Sequence, residues 1–379
     1  MRILIISSDT GGGHRSAARA ISAALQSADP GVDVVITDYL AGSGFPLALG
    51  LPGYARVVHY PGLWRLIWHG SNFAAFPRMI GGAPGSVVRR AIRLALASAS
   101  PDMVVSVHPL ASVNLTRVLA KRARRLPCVV VVTDLVSIHP AWAAPDADAT
   151  VAPTPAARDL LLRFGVPAER ISVLGLPVDR RFATASVDKP ALRRQLGLSE
   201  EPFTVLMVGG GEGAGHLERL VEALDARLAE AGLNAQMVVV AGRNQALKTR
   251  LTDREWRLPV HVTGFVDNLH EWMSAADLLV TKAGPGTIAE ALTRGLPLIL
   301  SSLLPGQEDG NVGYVVDGGC GLWLPEPGAM AAEVARLASA DGRARVEAMS
   351  AAALRMAHPR AAEEIAALIL RVARSANLS

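Results

Sequence analysis

Three glycines and a histidine interrupt the first apolar run of the chain. The stretch 7–21 reads SSDTGGGHRSAARAI and leads into an Ala-rich segment with helical spacing. The imidazole of His14 titrates near neutral pH, so it is suited to moving a proton, and glycines let a ligand approach the backbone closely. The stretch predicts either a nucleotide cradle or a site at which His14 acts chemically. The alternative is a histidine at a helix N-terminus that only satisfies backbone groups.

A second glycine turn, in the C-terminal half, precedes residues suited to a sugar nucleotide. Within TKAGPGTIAEALTRGLPLILSSLLPGQEDGNVGYVVDGGCG, residues 281–321, a predicted strand and a Gly-Pro-Gly turn lead to a helix that begins at Thr287. Free amides and the dipole at a helix N-terminus bind phosphate. Glu290, one turn inside, can accept hydrogen bonds from a ribose diol. Gln307 and Glu308 follow the next strand, where they can hold sugar hydroxyls.

Alternating strand-like and helix-like segments must position these motifs, and this alternation is typical of a parallel α/β sheet. Most of the predicted strands are continuous apolar runs, as expected for strands covered on both faces. The predicted strands are 3–6, 34–37, 103–107, 128–133, 150–151, 171–174, 204–208, 236–241, 260–263, 278–281 and 298–300. The clearest predicted helices are 16–26, 87–99, 216–230 and 287–294.

A polar, Pro-containing segment, 175–202, divides the alternating pattern into two series. After it the pattern restarts with VLMVGGGEGAGHLERLVEAL, which repeats the layout of strand, glycines, histidine and helix. We therefore expect two doubly wound domains, 1–180 and 181–357, with an amphipathic helix at about 358–379 packing back on the first. Because open α/β sheets bind ligands at the carboxyl ends of their strands, both glycine turns are expected at a shared cleft.

The composition narrows the classes of protein to consider. The 379 residues are half hydrophobic and carry a formal net charge of +4, which is compatible with anionic substrates or an anionic membrane surface and too weak to indicate nucleic acid. The two cysteines, Cys128 and Cys320, lie in apolar contexts and are expected to be buried and reduced. The first apolar run is too short for a signal peptide, and no apolar stretch reaches about 18 residues, so no transmembrane helix is expected.

The segment 40–85 departs from the alternating pattern and is rich in Gly, Pro and aromatic residues. Trp64 and Trp68 are four residues apart and therefore lie on one face of a predicted helix. Two interpretations remain open at this point. The tryptophans belong either to a core or to an apolar lobe that enters the lipid headgroup region.

The ordered series of motifs resembles the monogalactosyldiacylglycerol synthase family, which consists of UDP-sugar glycosyltransferases of GT-B fold in glycosyltransferase family 28. The resemblance extends over nearly the whole chain. The motifs that carry it are SDTGGGHRSAARAI, VSVHPL at 105–110, VVTDLVSIHPAW at 131–142, GLPV at 175–178, GGGEGAG at 209–215, AGRN at 241–244, and GPGTIAEAL, GLPLIL and PGQEDGNVGYVVD after 283. It implies a GT-B fold, in which two Rossmann-like doubly wound domains face a central cleft. The N-terminal domain would bind the acceptor, and the C-terminal domain would bind the UDP-sugar donor.

The resemblance also implies which residues bind the donor. Glycine turns would surround the diphosphate and Arg243 would approach it, whereas the backbone around Phe265 and Val266 would lie near the uracil. Glu290 would hold the ribose, and the residues around Gln307 would hold the hexose. The complete set is Gly12, Gly13, Gly210, Gly211, Glu212, Gly213, Arg243, Phe265, Val266, Gly284, Pro285, Gly286, Thr287, Glu290, Gln307, Glu308 and Asn311.

The implied reaction is an inverting transfer of galactose from UDP-galactose to diacylglycerol, with UDP-glucose as the alternative donor. Such a displacement needs a base for the acceptor hydroxyl. His14 is the leading candidate, and Asp9 and Asp134 could each orient it or act as the base. No metal or other cofactor is expected, since the DxD triplet at 146–148 has a metal role only in a different fold class.

Diacylglycerol stays in the bilayer, so the resemblance implies a peripheral enzyme on the cytoplasmic face of a membrane. Anionic lipids are expected as partners, and nucleic acid is not. The residues expected on the acceptor and membrane side are Trp64, Trp68, His108, His139 and Trp142. Two other classes remain open: a non-catalytic lipid or nucleotide sensor on the same fold, and a UDP-N-acetylglucosamine epimerase.

Overall fold

The computed structural model describes residues 1–8, 12–41, 60–73, 85–123, 125–183, 188–209 and 217–377. The chain divides into two compact units. The first unit comprises Met1–Arg180, Leu304–Gly310 and His358–Ser379, and the second comprises Arg181–Leu303 and Asn311–Ala357. Most of segment 40–85 lies outside the described residues, as do the predicted site residues Asp9, Gly210, Gly211, Glu212 and Gly213.

The described part of the first unit contains a parallel sheet of six strands in the order β2-β1-β3-β4-β5-β6. The strands are β1 Arg2–Ser7, β2 Asp33–Asp38, β3 Met103–Ser106, β4 Cys128–Val131, β5 Ala149–Ala152 and β6 Ile171–Val173. The helices are α1 Gly12–Ala28, α2 Pro61–Ser71, α3 Ser86–Ala99, α4 Pro109–Leu119 and α5 Pro155–Arg163.

Strand β1 shows why an uninterrupted apolar run forms this sheet. Side chains alternate between the two faces of a strand, so Ile3 and Ile5 join the core beneath α1, while Leu4 and Ile6 join the core on the opposite face. All four are completely buried, and each such side chain stabilises the fold by about 1.5–3 kcal/mol. A sheet covered on both faces needs this pattern.

The second unit repeats the architecture with the strand order β12-β11-β10-β7-β8-β9, again parallel throughout its described part. The strands are β7 Phe203–Val208, β8 Ala235–Val240, β9 Val260–Thr263, β10 Leu278–Lys282, β11 Leu298–Ser302 and β12 Gly321–Trp323. The helices are α6 Lys189–Gln195, α7 Leu217–Glu230, α8 Gln245–Thr252, α9 Leu269–Ala275, α10 Pro285–Arg294, α11 Asp309–Asp317, α12 Pro327–Ala338 and α13 Arg343–Met356.

Each sheet has one position where the chain changes direction along the strand order. It lies between β1 and β3 in the first sheet and between β7 and β10 in the second. Ligands of open α/β sheets bind outside the carboxyl ends of the strands at this position. The residues that follow β1, β3, β7 and β10 are therefore placed where a ligand would bind.

The last helix, α14 Ala361–Asn377, belongs to the first unit. Its residues Ile365 and Ile369 are completely buried and join the core that includes Ile21 and Leu25 of α1. The amphipathic pattern of this segment is explained by that packing. Within the described ranges, no helix combines the length and apolar character that crossing a bilayer requires.

The predicted strands are all present, with bounds within two residues of those expected. Strand β12 was not predicted, because it has only three residues and begins with a glycine. A Cβ on Gly321 would lie 2.6 Å from the carbonyl oxygen of Leu298, so the absence of a side chain permits this pairing. Helix α10 begins at Pro285 instead of the predicted Thr287, since proline at the first helical position is compatible with helix geometry.

Candidate active site

The position at which the strand order changes direction is called the switch position below. A polar cluster lies at the switch position of the first sheet and is centred on His14, in the first turn of α1. The Nδ1 atom of His14 lies 2.7 Å from Oγ1 of Thr133, which follows β4. The imidazole ring centroid is 5.0 Å from that of His108 and 6.2 Å from that of Trp142. Burial lowers the pKa of His14, while the Asp134 carboxylate and the Val107 carbonyl oppose that shift. The neutral imidazole is therefore favoured, which is the form that can accept a proton.

Asp134 is buried and both of its carboxylate oxygens accept hydrogen bonds. The indole Nε1 of Trp142 donates to Oδ2 at 2.6 Å, and the amide Nε2 of Gln307 donates to Oδ1 at 3.0 Å. Burial raises the pKa of Asp134, and the proximity of His14 together with the two donated bonds opposes that rise. Trp142 is completely buried and supports this carboxylate.

His108 packs against His14 and was expected on the acceptor and membrane side. Its Nδ1 atom lies 3.0 Å from the hydroxyl of Tyr39, and its carbonyl accepts hydrogen bonds from Ser106 and Ser112. Burial and the neighbouring His14 hold the pKa of His108 well below its usual value. His108 is therefore a neutral partner that packs against His14 and fixes the chain after β3.

His139 and the two tryptophans of α2 form a second aromatic group in the first unit. His139 accepts a hydrogen bond from the backbone of Ala141 at 3.1 Å, its Nε2 lies 3.2 Å from Oγ of Ser71, and burial lowers its pKa to about 4. The Trp68 ring is 5.1 Å from the ring of His139 and 6.3 Å from that of Trp64. Trp68 is 6% exposed, so this tryptophan belongs to a packed interior.

The loop 304–310 carries Gln307 and Glu308 and belongs to the first unit. Glu308 is buried and its Oε2 accepts a hydrogen bond from the Leu304 backbone at 2.8 Å. The Gly310 backbone donates to Oγ of Ser137 at 3.0 Å. Both predicted hexose ligands thus have protein partners, which the sequence did not indicate. Within the described ranges, the carbonyl oxygen Oε1 of Gln307 is buried without a hydrogen-bond partner.

The switch position of the second sheet presents a backbone-lined turn. Strand β10 carries a register irregularity between Thr281 and Lys282, and such bulges redirect a side chain. A Cβ on Gly284 would lie 3.2 Å from Nζ of Lys282, so the ammonium group reaches the turn that opens α10. Gly284 is the N-cap and Pro285 the first helical residue, which leaves the next amides of the helix available to an anion.

The remaining predicted donor residues surround the carboxyl ends of the second sheet. The guanidinium of Arg243 lies 5.5 Å from the ring centroid of Phe265, which is 57% exposed. Val266 and Glu290 are half-buried. Asn311 donates to the carbonyl of Ala283 at 2.9 Å, so it braces the turn before α10.

The DxD triplet is explained by local structure. The carboxylate of Asp148 accepts a hydrogen bond from the Cys128 backbone at 2.8 Å and pairs with Arg125. These contacts join β4 to the start of β5. In the part of the chain that the structure describes, no group of three or more acidic, His or Cys side chains is arranged to hold a metal ion.

Comparisons with known proteins identify the family. A family profile described as "Monogalactosyldiacylglycerol (MGDG) synthase" matches residues 14–178, and one described as "Glycosyltransferase family 28 C-terminal domain" matches residues 204–365. The "Probable monogalactosyldiacylglycerol synthase, chloroplastic" of Glycine max is 37% identical over 371 residues, which cover 96% of this chain and 70% of that protein. "Monogalactosyldiacylglycerol synthase 1, chloroplastic" of Arabidopsis thaliana is 36% identical over 371 residues, covering 96% and 69%. The chain belongs to the monogalactosyldiacylglycerol synthase family. It is a UDP-sugar hexosyltransferase.

Solved structures show that this family member has the GT-B fold. MurG of Acinetobacter baumannii is 16% identical, with a TM-score of 0.63 over 98% of this chain and 99% of that one. HepE of Anabaena in complex with UDP-glucose is 18% identical, with a TM-score of 0.53 over 100% and 98% of the two chains. The GT-B expectation and the family resemblance are confirmed.

Three residues of the site were missed by the sequence-based reasoning. Thr133 and Lys282 each stand at the carboxyl end of a predicted strand, so the rule that located Asp134 could have found them. Tyr39 follows β2 and gave no signal of its own, because its partner His108 is 69 residues away. Contacts of this kind depend on the strand order, which the local pattern does not determine.

Proposed function

We propose that this family member transfers galactose from UDP-galactose to the free hydroxyl of 1,2-diacylglycerol, with inversion at the anomeric carbon. The observation that carries the proposal is the cluster of His14, Thr133 and Asp134 in a chain whose curated relatives are named monogalactosyldiacylglycerol synthases. A neutral imidazole beside a buried carboxylate is suited to general-base catalysis.

In the proposed step, the acceptor hydroxyl oxygen forms a bond to the anomeric carbon while the bond from that carbon to UDP breaks. The hydroxyl proton passes to His14, and UDP leaves with the electron pair. Asp134 has both oxygens engaged by Trp142 and Gln307. It is therefore better placed to stabilise the imidazolium than to receive the proton itself.

The leaving UDP needs compensation for its negative charge. The N-terminus of α10 supplies backbone amides and a positive dipole end, and Lys282 and Arg243 supply cationic side chains near the carboxyl ends of the second sheet. In the first unit, Gly12 and Gly13 open α1 and are exposed, which leaves their backbone accessible to a ligand. With these groups we propose that no metal or other cofactor is needed, and activity should be unaffected by a chelator such as EDTA.

The acceptor remains in a bilayer, so the enzyme is proposed to bind a membrane peripherally, on its cytoplasmic face, through the first unit. Helix α2 and its flanks support this proposal with an exposed apolar surface. The exposed residues are Tyr60, Leu63, Leu66, Ile67 and Phe73. The net charge of +4 favours an anionic lipid surface. Surface apolar groups and basic charge together are the usual basis of interfacial binding.

Assays on diacylglycerol vesicles with radiolabelled UDP-galactose and UDP-glucose, followed by thin-layer separation of the products, test the proposal. A monogalactosyl lipid formed from UDP-galactose is the expected product. Preferential use of UDP-glucose would instead assign a diacylglycerol glucosyltransferase. Failure of both donors to label diacylglycerol would refute the proposed reaction, and turnover of a UDP-sugar without any lipid would indicate an epimerase.

A further inference from the structure

The carboxylate of Asp134 is held by two donors that come from distant parts of the chain. Trp142 is eight residues away, whereas Gln307 is 173 residues away and lies in the loop 304–310. A hydrogen bond to an ionised group is stronger than one between neutral groups. Gln307 thus opposes the rise that burial causes in the pKa of Asp134, and it does so from a loop that the sequence had assigned to the sugar alone.

The loop is built to hold Gln307 at this place. The residue before it, Gly306, has a φ of +87°, and a Cβ there would lie 2.3 Å from Cδ1 of Trp68. At the other end of the loop, a Cβ on Gly310 would lie 2.6 Å from Oγ of Ser137. Close packing at both ends, together with the bond from Leu304 to Glu308, restrains the backbone that carries Gln307.

Of the two polar atoms in the Gln307 amide group, only one has a hydrogen-bond partner among the described residues. Its Nε2 donates to Asp134, while its Oε1 is buried and has no hydrogen-bond partner in the described part of the chain. Buried polar atoms almost always have a partner. A hydroxyl is the simplest group that could donate to this oxygen, and the transferred hexose carries several.

We propose that Gln307, which the family resemblance assigns to the hexose, is also a positioning residue: its Nε2 holds the carboxyl group of Asp134 beside His14, while its Oε1 accepts a hydrogen bond from a hexose hydroxyl. This inference rests on the proposed function. Binding of the sugar would then orient the same amide that holds the carboxylate, so the base would be electrostatically supported when the donor is in place.

The groups that face this pair set the expected pH dependence. His14 faces Asp134 and His108, and Asp134 also faces Glu308, whose charge opposes ionisation of Asp134. Removal of the Gln307 donor favours protonation of Asp134. Loss of that negative charge lowers the pKa of His14, so the acidic limb of the rate profile should move to lower pH. It also removes stabilisation of the imidazolium, so kcat should fall.

The test measures kcat and KM for the UDP-sugar from pH 5 to pH 9 on diacylglycerol vesicles. Gln307→Met removes the donor at similar side-chain length and should lower kcat by about 10- to 100-fold, the effect of losing one hydrogen bond to a charged group. Its acidic limb should move to lower pH. Gln307→Glu places a second carboxyl group beside Asp134, so its activity should be confined to the acidic range where that group is protonated.

The exposed Gln195 at the end of α6 provides matched controls, Gln195→Met and Gln195→Glu, which should leave the profile unchanged. A raised KM with unchanged kcat and an unmoved acidic limb in both Gln307 variants would show that Gln307 only binds the hexose. The unfolding temperature and the UDP affinity of each variant show whether it is folded. If one Gln307 variant is misfolded, the pH profile of the other variant decides between the two roles. If wild-type enzyme labels no lipid with either UDP-sugar, the proposed function fails, irrespective of these variants.

Discussion

The switch positions of the two sheets are equivalent in topology and opposite in character. In the first unit the position is filled with buried polar side chains, Thr133, Asp134 and His108, that contact His14 or one another. In the second unit it presents a glycine turn and a helix N-terminus. Proton transfer needs side chains held at fixed distances, whereas phosphate can be bound by backbone amides. The same topology thus carries a buried cluster of polar side chains in one unit and an accessible backbone turn in the other.

Replacement of His14 should have the largest effect and should separate the two sites. His14→Ala is expected to lower kcat by about 10²- to 10⁴-fold, the usual contribution of a general base. Calorimetric UDP affinity should be unchanged, since the donor turn lies in the second unit. The exposed His358 serves as a control, because His358→Ala keeps the Cβ that contacts Gly175. Full activity of His14→Ala would remove His14 as the base.

Asp134→Asn should have a smaller effect on rate and a characteristic effect on pH dependence. The carboxylate raises the pKa of His14, so its neutralisation should lower that pKa and move the acidic limb of kcat to lower pH. The asparagine cannot accept from both Trp142 and Gln307, and one buried donor is left unpaired, at a cost of about 1–3 kcal/mol. A rate profile with its acidic limb unmoved would contradict the electrostatic role of Asp134.

Replacement of Lys282 tests whether the switch position of the second sheet binds the diphosphate. Lys282→Ala should weaken UDP binding by about tenfold, as expected for loss of one charge-assisted hydrogen bond. Uridine, which has no phosphate, is the matched ligand and should bind both proteins equally in calorimetry. If the affinity for uridine falls as much as that for UDP, Lys282 shapes the pocket without neutralising the diphosphate.

The smallest expected effect concerns lipid binding by α2. Leu66 is 70% exposed, and Leu66→Ser should reduce the fraction bound to anionic vesicles about fivefold, which corresponds to ~1 kcal/mol of lost apolar burial. Leu94 on α3 is 60% exposed, and Leu94→Ser is the matched control that should sediment like the wild type. Equal loss in both variants would indicate general apolar adsorption.

The fold was largely predictable because both sheets are covered on two faces. A buried strand such as β8, Ala235–Val240, appears in the sequence as a largely apolar run, and its predicted bounds, 236–241, differ from the observed ones by one residue. Strand β12 escaped because the pairing of a three-residue segment is decided by its neighbour β11 and not by its own composition. The predicted start of helix α10 was two residues too late because Pro285 was interpreted as part of a turn.

The contacts within the candidate site were not predictable from the sequence. His14 and Asp134 were located by the rule that functional groups follow the carboxyl ends of strands. The bond between Asp134 and Gln307 joins positions 173 residues apart, and no periodicity or local motif encodes it. The same holds for the hydrogen bond from the Trp142 indole to Asp134, which no local motif indicated.

Gly306 has a consequence for how this chain can change over evolutionary time. Its backbone conformation is rarely adopted by other L-residues, and any side chain at this position would overlap the indole of Trp68. A substitution at 306 could therefore be accepted only together with a smaller residue at 68. Such a double change would also remove the aromatic contact with His139. Positions 68, 139 and 306 are thus expected to vary as a group, and single substitutions at 306 should be absent from active descendants.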